Sequence, residues 1–215
     1  MKYILMDLDG TITDPKIGIT KSVQYALKAF DITVEDLELL CRFIGPPLKN
    51  SFMEFYGLDE AQTEEAVVKY REYYADKGIY ENEVYSGMEE LLSRLKRAGK
   101  TLIVATSKPE VFARRILEHF GLIGYFEDVC GATLDFSRSA KEDVIRYALE
   151  KNGLTDYSDI VMVGDRRHDI EGAKAVGLAS LGVLFGYGSR EELEEAGAGG
   201  IAETVEEVYD IVMAM

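Results

Sequence analysis

The 215-residue chain carries 24 Lys and Arg against 39 Asp and Glu, a formal net charge of −15, with 47% apolar and 29% charged residues. Enough apolar side chains are present to offset chain entropy, which excludes a disordered protein, and four Pro and two Cys exclude collagen-like and disulfide-scaffold chains. The acidic excess excludes charge-driven binding of nucleic acid or of an anionic membrane, and any anionic ligand would need a local source of positive charge.

No apolar run approaches the roughly 18 residues that span a membrane. The apolar start Met1–Met6 is interrupted at once by Asp7 and Asp9, so no secretory signal is read and the cytoplasm is the expected location. Cys41 and Cys130 read as buried reduced thiols.

In chain order, the first apolar run, residues 3–8, reads as a buried parallel strand. The next stretch, up to about residue 85, shows helical spacing and no convincing strand. Ile19, Val23, Ala26, Leu27 and Phe30 share one face, and Phe52, Phe55, Tyr56, Val67, Tyr70, Tyr73 and Tyr74 recur at helical intervals. A helical insertion of about 65–70 residues explains this. Turn residues place its linkers near 13–18 and 78–86, so residues 1–14 and 84–215 form the predicted core and residues 15–83 the insertion.

Beyond it, apolar runs at 101–105, 160–163 and 179–184 read as strands, with a weaker candidate at 127–131. Helical patterns at 87–98, 109–120, 140–151, 169–176 and 204–213 alternate with them. The alternation predicts an α/β fold, a doubly wound and mainly parallel Rossmann-like sheet. The charge runs 191–195 and 203–207 read as solvated helix faces, and 196–200 as a plain turn.

Asp7-Leu8-Asp9-Gly10-Thr11 stands where the first strand ends. Residues two apart on a strand point to one side, so two carboxylates converge, and Gly10 permits the turn whose amides can cradle an anion. A solvated turn is the bland alternative, but open α/β sheets bind ligands at the C-terminal ends of their strands. Gly164-Asp165-Arg166-Arg167-His168-Asp169 follows a later strand and leads into a helix.

Chance produces the D-x-D-G-T pattern in about one chain of this length in 300 and G-D-x-x-x-D in about one in twenty, so the second motif takes its weight from the first. Asp169 also reads as a helix-start residue. Together the two strand ends bring four carboxylates to one rim, which requires a cation, and hard oxygen ligands select Mg²⁺. Thr106 and Ser107 end another strand before Lys108-Pro109, a place that suits either a phosphate or a helix cap. Lys141 opens a helix against its dipole, which is mildly unfavourable and therefore suggestive, although surface lysines are common and the signal is weak by itself.

These residues resemble the haloacid dehalogenase-like hydrolase superfamily on its phosphatase side, across the whole chain. Asp7-x-Asp9-Gly10-Thr11 is similar to its nucleophile motif, Thr106 to its second-motif hydroxyl, Lys141 to its phosphate-binding lysine, and Gly164-Asp165-x-x-x-Asp169 to its metal motif. The insertion after the first motif resembles the small helical cap of one subgroup, and Gly45-Pro46-Pro47-Leu48 and Val84-Tyr85-Ser86-Gly87 resemble segments of its phosphoglycolate phosphatase-like members.

The resemblance implies that Asp7 attacks phosphorus, that Asp9 acts as acid and then base, and that Thr106, Ser107, Lys141 and Gly10 hold the phosphoryl group. It also implies a Mg²⁺ site made by Asp7, Asp9 through its carbonyl, Asp165 and Asp169, the last orienting a metal-bound water or a neighbouring group. Arg42, Gly45 and Pro46 are candidate cap contacts, which read equally as a helix end and its turn. His119 and His168 read as solvated, and Lys108 as either near the site or covering a helix start.

The expected activity is Mg²⁺-dependent hydrolysis of a small phosphorylated metabolite, with phosphoglycolate the named guess. A 5'-nucleotidase-type phosphatase and a β-phosphoglucomutase-like phosphosugar mutase are the alternatives. A non-enzymatic receiver-like phospho-acceptor is disfavoured by the insertion and by Asp165 and Asp169.

Overall fold

A computed structural model describes residues 1–215. In chain order the strands are β1 (Tyr3–Met6), β2 (Thr13–Asp14), β3 (Glu83–Val84), β4 (Thr101–Pro109), β5 (Asp128–Ala132), β6 (Ile160–Gly164), β7 (Ala179–Val183) and β8 (Ile201–Ala202). Six of them make one sheet in the order β5-β4-β1-β6-β7-β8, and every pairing in it is parallel. Tyr3 aligns with Thr101 on one side and Ile160 on the other, so the three central strands start together.

The chain runs outward from β1 through β4 to β5, then returns to β6 on the opposite side of β1. That reversal creates a crevice at the C-terminal end of β1, the usual ligand position in such sheets.

The strands are continuous apolar runs because both sheet faces are covered. Leu5, Ile103 and Met162 pack with Val144, Ile145, Ala148 and Leu149 of α6 (Lys141–Lys151) and with Ala173 and Val176 of α7 (Arg167–Val176). The alternate residues Ile4, Met6, Leu102, Val104, Val161 and Val163 are buried as well. Truncating a fully buried leucine such as Leu5 to Ala costs roughly 2–5 kcal/mol.

The chain divides into two compact units, Met1–Asp14 with Val84–Met215, and Pro15–Glu83. The second unit is helical: α1 (Lys16–Lys28), a 3₁₀ segment Leu37–Phe43, α2 (Leu48–Tyr56) and α3 (Glu60–Tyr74). Its helices bury the residues that the spacing singled out, including Ile19, Val23, Ala26, Leu27, Phe52, Val67, Tyr70 and Tyr74. Phe30 lies past the end of α1 and is half-buried. Asp59 and Gln62 form a reciprocal capping box that starts α3, satisfying two amides that would otherwise lack partners.

The structure departs from the sequence reading in a few places. β4 runs on to Pro109, with a register shift after Thr106, because Pro109 still aligns with Ala132. Between β3 and β4 lies α4 (Met88–Arg97), and the helix after β4, α5 (Glu110–His119), begins beyond that extension. β5 lies one residue later than expected, at Asp128–Ala132. The segment read as a plain turn is one past the end of α8 (Arg190–Ala196), but it leads into β8, a two-residue strand that the sequence reading lacks because it is too short to show a pattern. Cys130 is buried and Cys41 only half-buried; both are free thiols. No helix is long and apolar enough to cross a membrane.

Candidate active site

Asp7 follows directly on the buried β1, and its amide donates to Val163 O at 2.9 Å, continuing the pairing with β6. Its buried carboxylate is thereby carried to the sheet rim. Oδ1 accepts from its neighbour's amide, Leu8 N, at 2.7 Å. The chain then turns at Gly10, whose φ of +81° is left-handed. A Cβ there would come within 2.2 Å of Asp165 Oδ2, so glycine is required both for the turn and for the approach of the two motifs.

Lys141, the first residue of α6, is buried, and its ammonium lies 3.0 Å from Asp7 Oδ1, 2.7 Å from Asp169 Oδ1 and 3.1 Å from the Ala105 carbonyl it donates to. The Asp169 contact is an ion pair without hydrogen-bond alignment at the carboxylate, while the other oxygen, Oδ2, accepts from Arg166 N at 3.0 Å. Asp169 thus serves both readings open to it, closing the start of α7 and facing the rim. Lys141 stands against its helix dipole because two carboxylates compensate it.

Asp165 is fully buried; its Oδ2 accepts from Tyr187 N at 2.8 Å and its Oδ1 has no hydrogen-bond partner. Burial, then Asp169 and Asp7, push the Asp165 carboxyl well above the ordinary carboxylate range. Burial also raises Asp169 to about 6; Lys141 opposes the shift and Asp7 adds to it. For Lys141 burial works downward, but Asp169 and Asp7 outweigh it and the ammonium is held protonated.

Asp7, Asp165 and Asp169 each offer an oxygen within 4.8 Å of the others, all buried. The buried, partnerless Asp165 Oδ1 and an all-oxygen donor set fit a hard divalent cation such as Mg²⁺, which would replace the repulsion with coordination.

Asp9 lies apart from that group. Lys108 Nζ donates to its Oδ1 at 2.7 Å and its Oδ2 at 2.5 Å, in a buried pair. Burial raises the Asp9 carboxyl, more than Lys108 lowers it. Any contribution of Asp9 to a cation is therefore left to its main-chain carbonyl. The sequence is compatible with two roles for Lys108, near the site or covering a helix start. Because Pro109 extends β4, Lys108 is delivered to the rim instead of covering the helix start.

Thr106 is buried and accepts from Lys108 N at 3.2 Å, while α5 has no side-chain cap, so the hydroxyl is not a helix cap. Ser107 is half-buried beside it. His168, read as solvated, is half-buried, and burial followed by Arg167 and Arg166 lowers its pKa.

The loop after β7 escaped the sequence reading. Phe185-Gly186-Tyr187-Gly188 crosses the rim so closely that a Cβ at Gly186 would lie 2.2 Å from Gly10 O and 2.4 Å from Asp165 Cβ. Two glycines flanking a tyrosine just past a strand end were the available signal.

Arg42, Gly45 and Pro46 belong to the helical unit. Arg42 is exposed at the end of the 3₁₀ segment, its guanidinium 4.4 Å from the Phe55 ring centroid and 5.3 Å from that of Tyr56. With Thr33, Val34, Asp36, Leu39 and Tyr56 it borders a hollow of about 670 Å³. Gly45 turns at φ +101° ahead of Pro46 and α2.

Residues 4–183 match the family model of haloacid dehalogenase-like hydrolases. The chain is 50% identical over 190 residues to a 5'-nucleotidase of Pseudomonas aeruginosa, covering 88% of this chain and 86% of that one. It is 40% identical over 195 residues to the tyrosine-protein kinase PtkA of Mycobacterium tuberculosis, covering 90% and 66%. With a phosphoglycolate phosphatase of Vibrio parahaemolyticus it shares 28% identity over 220 residues, covering 99% and 96%. The crystal structure of a predicted phosphatase from Clostridium acetobutylicum superposes with a TM-score of 0.97 at 52% identity, covering 99% and 98%. The chain therefore belongs to the haloacid dehalogenase-like hydrolase family.

Proposed function

We propose that the chain is a Mg²⁺-dependent phosphatase that hydrolyses small phosphomonoesters through an aspartyl-phosphate at Asp7, with nucleoside 5'-monophosphates as the substrate class. The observation that carries the chemistry is the buried Lys141 ammonium lying between Asp7 and Asp169, with Asp165 beside them. A carboxylate fixed at a strand end and charge-compensated in this way is an activated, immobile nucleophile.

Asp7 attacks phosphorus through a carboxylate oxygen, the phosphorus–ester oxygen bond breaks, and the leaving alkoxide takes a proton from Asp9. Water then attacks the acyl phosphate and gives its proton back to Asp9, releasing inorganic phosphate and restoring Asp7. Burial moves Asp9 in the direction a general acid needs, and Lys108 fixes where its oxygens point. Lys141, Thr106, Ser107 and the amides after Gly10 hold the phosphoryl oxygens. Asp7, Asp165, Asp169 and the Asp9 carbonyl would hold a Mg²⁺ ion, which would supply neutralisation of the negative charge on the nucleophile and phosphoryl group. The helical unit, Pro15–Glu83, acts as the cap that selects the substrate, with Arg42, Gly45 and Pro46 as its candidate contacts.

The relative at 50% identity is a 5'-nucleotidase and the one at 28% a phosphoglycolate phosphatase, which supports reading a nucleotide in place of phosphoglycolate as the preferred substrate. Arg42 stacked over two aromatic rings offers a flat cationic surface of the kind that bases stack on. Phosphate release is to be measured with Mg²⁺ over nucleoside monophosphates, phosphoglycolate and sugar phosphates. A kcat/KM at least about tenfold higher for a nucleotide supports the assignment. A preference for phosphoglycolate overturns the substrate, and an isomer in place of free phosphate overturns hydrolysis.

A further inference from the structure

The loop Phe185-Gly186-Tyr187-Gly188 touches three things at once. Tyr187 N donates to Asp165 Oδ2 at 2.8 Å, while the Tyr187 hydroxyl donates to Asp14 Oδ1 across 173 positions of sequence. Asp14 is the last residue before the chain leaves the sheet-bearing unit. On the other flank, Phe185 meets the Tyr85 ring edge-on, with centroids 5.2 Å apart and planes at 66°. Tyr85 follows Val84, where the chain returns, and its amide donates to Ile12 O at 3.3 Å. Exit and re-entry of the inserted segment thus both abut one four-residue loop, and that loop also holds a carboxylate of the acidic group.

We propose that Tyr187 is a positioning residue that ties the exit hinge at Asp14 to the active-site carboxylate Asp165. Chains joining a mobile segment to a fixed one concentrate their backbone change in a few residues at element ends. Asp14 ends such an element, and the Tyr187 hydroxyl limits how far its backbone can rotate. The main-chain amide of the same residue keeps Asp165 aimed at the rim. The two bonds come from different parts of one residue, so substitution separates them: Tyr187→Phe deletes the hydroxyl and keeps the amide. Close packing of Gly186 against Gly10 and Asp165 leaves the loop no room to follow Asp14, so the coupling is stiff.

The kinetic part of the test rests on the phosphatase reading; the exchange part does not. Amide hydrogen exchange is to be followed in the full chain for the parent, Tyr187→Phe, Asp14→Ala and the double variant, with p-nitrophenyl phosphate kinetics at varied Mg²⁺ alongside. Loss of a hydrogen bond to a charged acceptor corresponds to about a tenfold change, so exchange across residues 11–16 rises by about tenfold in Tyr187→Phe. Protection in α7 stays at the parent level. KM rises by a similar factor, with kcat and the Mg²⁺ activation constant within about twofold, because the amide to Asp165 is intact.

Asp14→Ala reproduces the effect, and the double variant is no worse than either single one. Unchanged exchange at 11–16 in Tyr187→Phe, or additive effects in the double variant, overturns the proposal. If Tyr187→Phe fails to fold, unchanged exchange at 11–16 in Asp14→Ala overturns it by itself. If the parent releases no phosphate, the phosphatase reading falls, and the exchange data still decide whether Tyr187 restrains the hinge.

Discussion

Both compact units carry surface ion pairs, but only the sheet-bearing unit buries charged side chains. In the sheet-bearing unit, Asp7, Asp9, Asp165, Asp169, Lys108 and Lys141 are all buried within one rim. In the helical unit, charged pairs such as Lys49–Glu64 and Lys69–Glu72 lie at the surface, and Arg42 spends its guanidinium on two aromatic rings. Surface pairs contribute little and are readily exchanged. Buried charge is tolerated only when compensated in place, and removing one member leaves the others exposed to the full desolvation penalty. On the proposed function, the first arrangement suits a fixed chemistry and the second an adaptable recognition of substrate, and the difference between the two units is what the following experiments probe.

The sharpest way to break this contrast is at the nucleophile. Asp7→Asn keeps shape but removes the attacking charge, and phosphate release is expected to fall by about 10⁴-fold or more in a steady-state assay. Next comes Lys141→Ala, which strands Asp7 and Asp169 in a buried site. Its expected cost is roughly 3–5 kcal/mol by denaturant titration, with kcat down by about 10²–10³. A loss below about 1 kcal/mol would mean that the buried pairing is not what stabilises the rim.

In the helical unit the effect should be smaller and of another kind. Arg42→Ala raises KM for a nucleoside monophosphate by about tenfold and leaves kcat within about twofold, because stacking binds ground and transition states alike. A drop in kcat alone would place Arg42 in the chemistry.

The smallest effect concerns the thiols. Burial, followed by the Asp128 carboxylate, pushes the Cys130 thiol up to about 12. Cys130 is fully buried, whereas Cys41 is half-buried in the helical unit. At about pH 8 an alkylating reagent should label Cys41 at once and Cys130 only after unfolding, as peptide mapping will show.

Much of the rim was legible from the sequence because its signals are local. Asp7, Asp9 and Gly10 sit where an apolar run meets a turn, and Asp165 and Asp169 repeat that grammar at β6. Lys141, at a mildly unfavourable helix end, gave only a weak local signal that took its weight from the other motifs. What escaped depends on contacts distant in sequence. Lys108 pairs with Asp9 only because β4 continues through a bulge to Pro109. Tyr187 reaches Asp14 only because a loop folds back over the first motif. β8 is two residues long, below the length at which any period can be read. For Arg42 the spacing left two meanings, and its seat on Phe55 and Tyr56 follows from the meeting of separate helical segments.

The central claim is that Asp7 carries the phosphoryl group. Rapid mixing of the Mg²⁺-loaded protein with a phosphomonoester, acid quench and peptide mass spectrometry test it most directly. The account predicts a phosphoryl adduct on the peptide containing Asp7, formed no more slowly than turnover and missing in Asp7→Asn. Turnover at the parent rate with no adduct on that peptide, or a fully active Asp7→Asn, would contradict it.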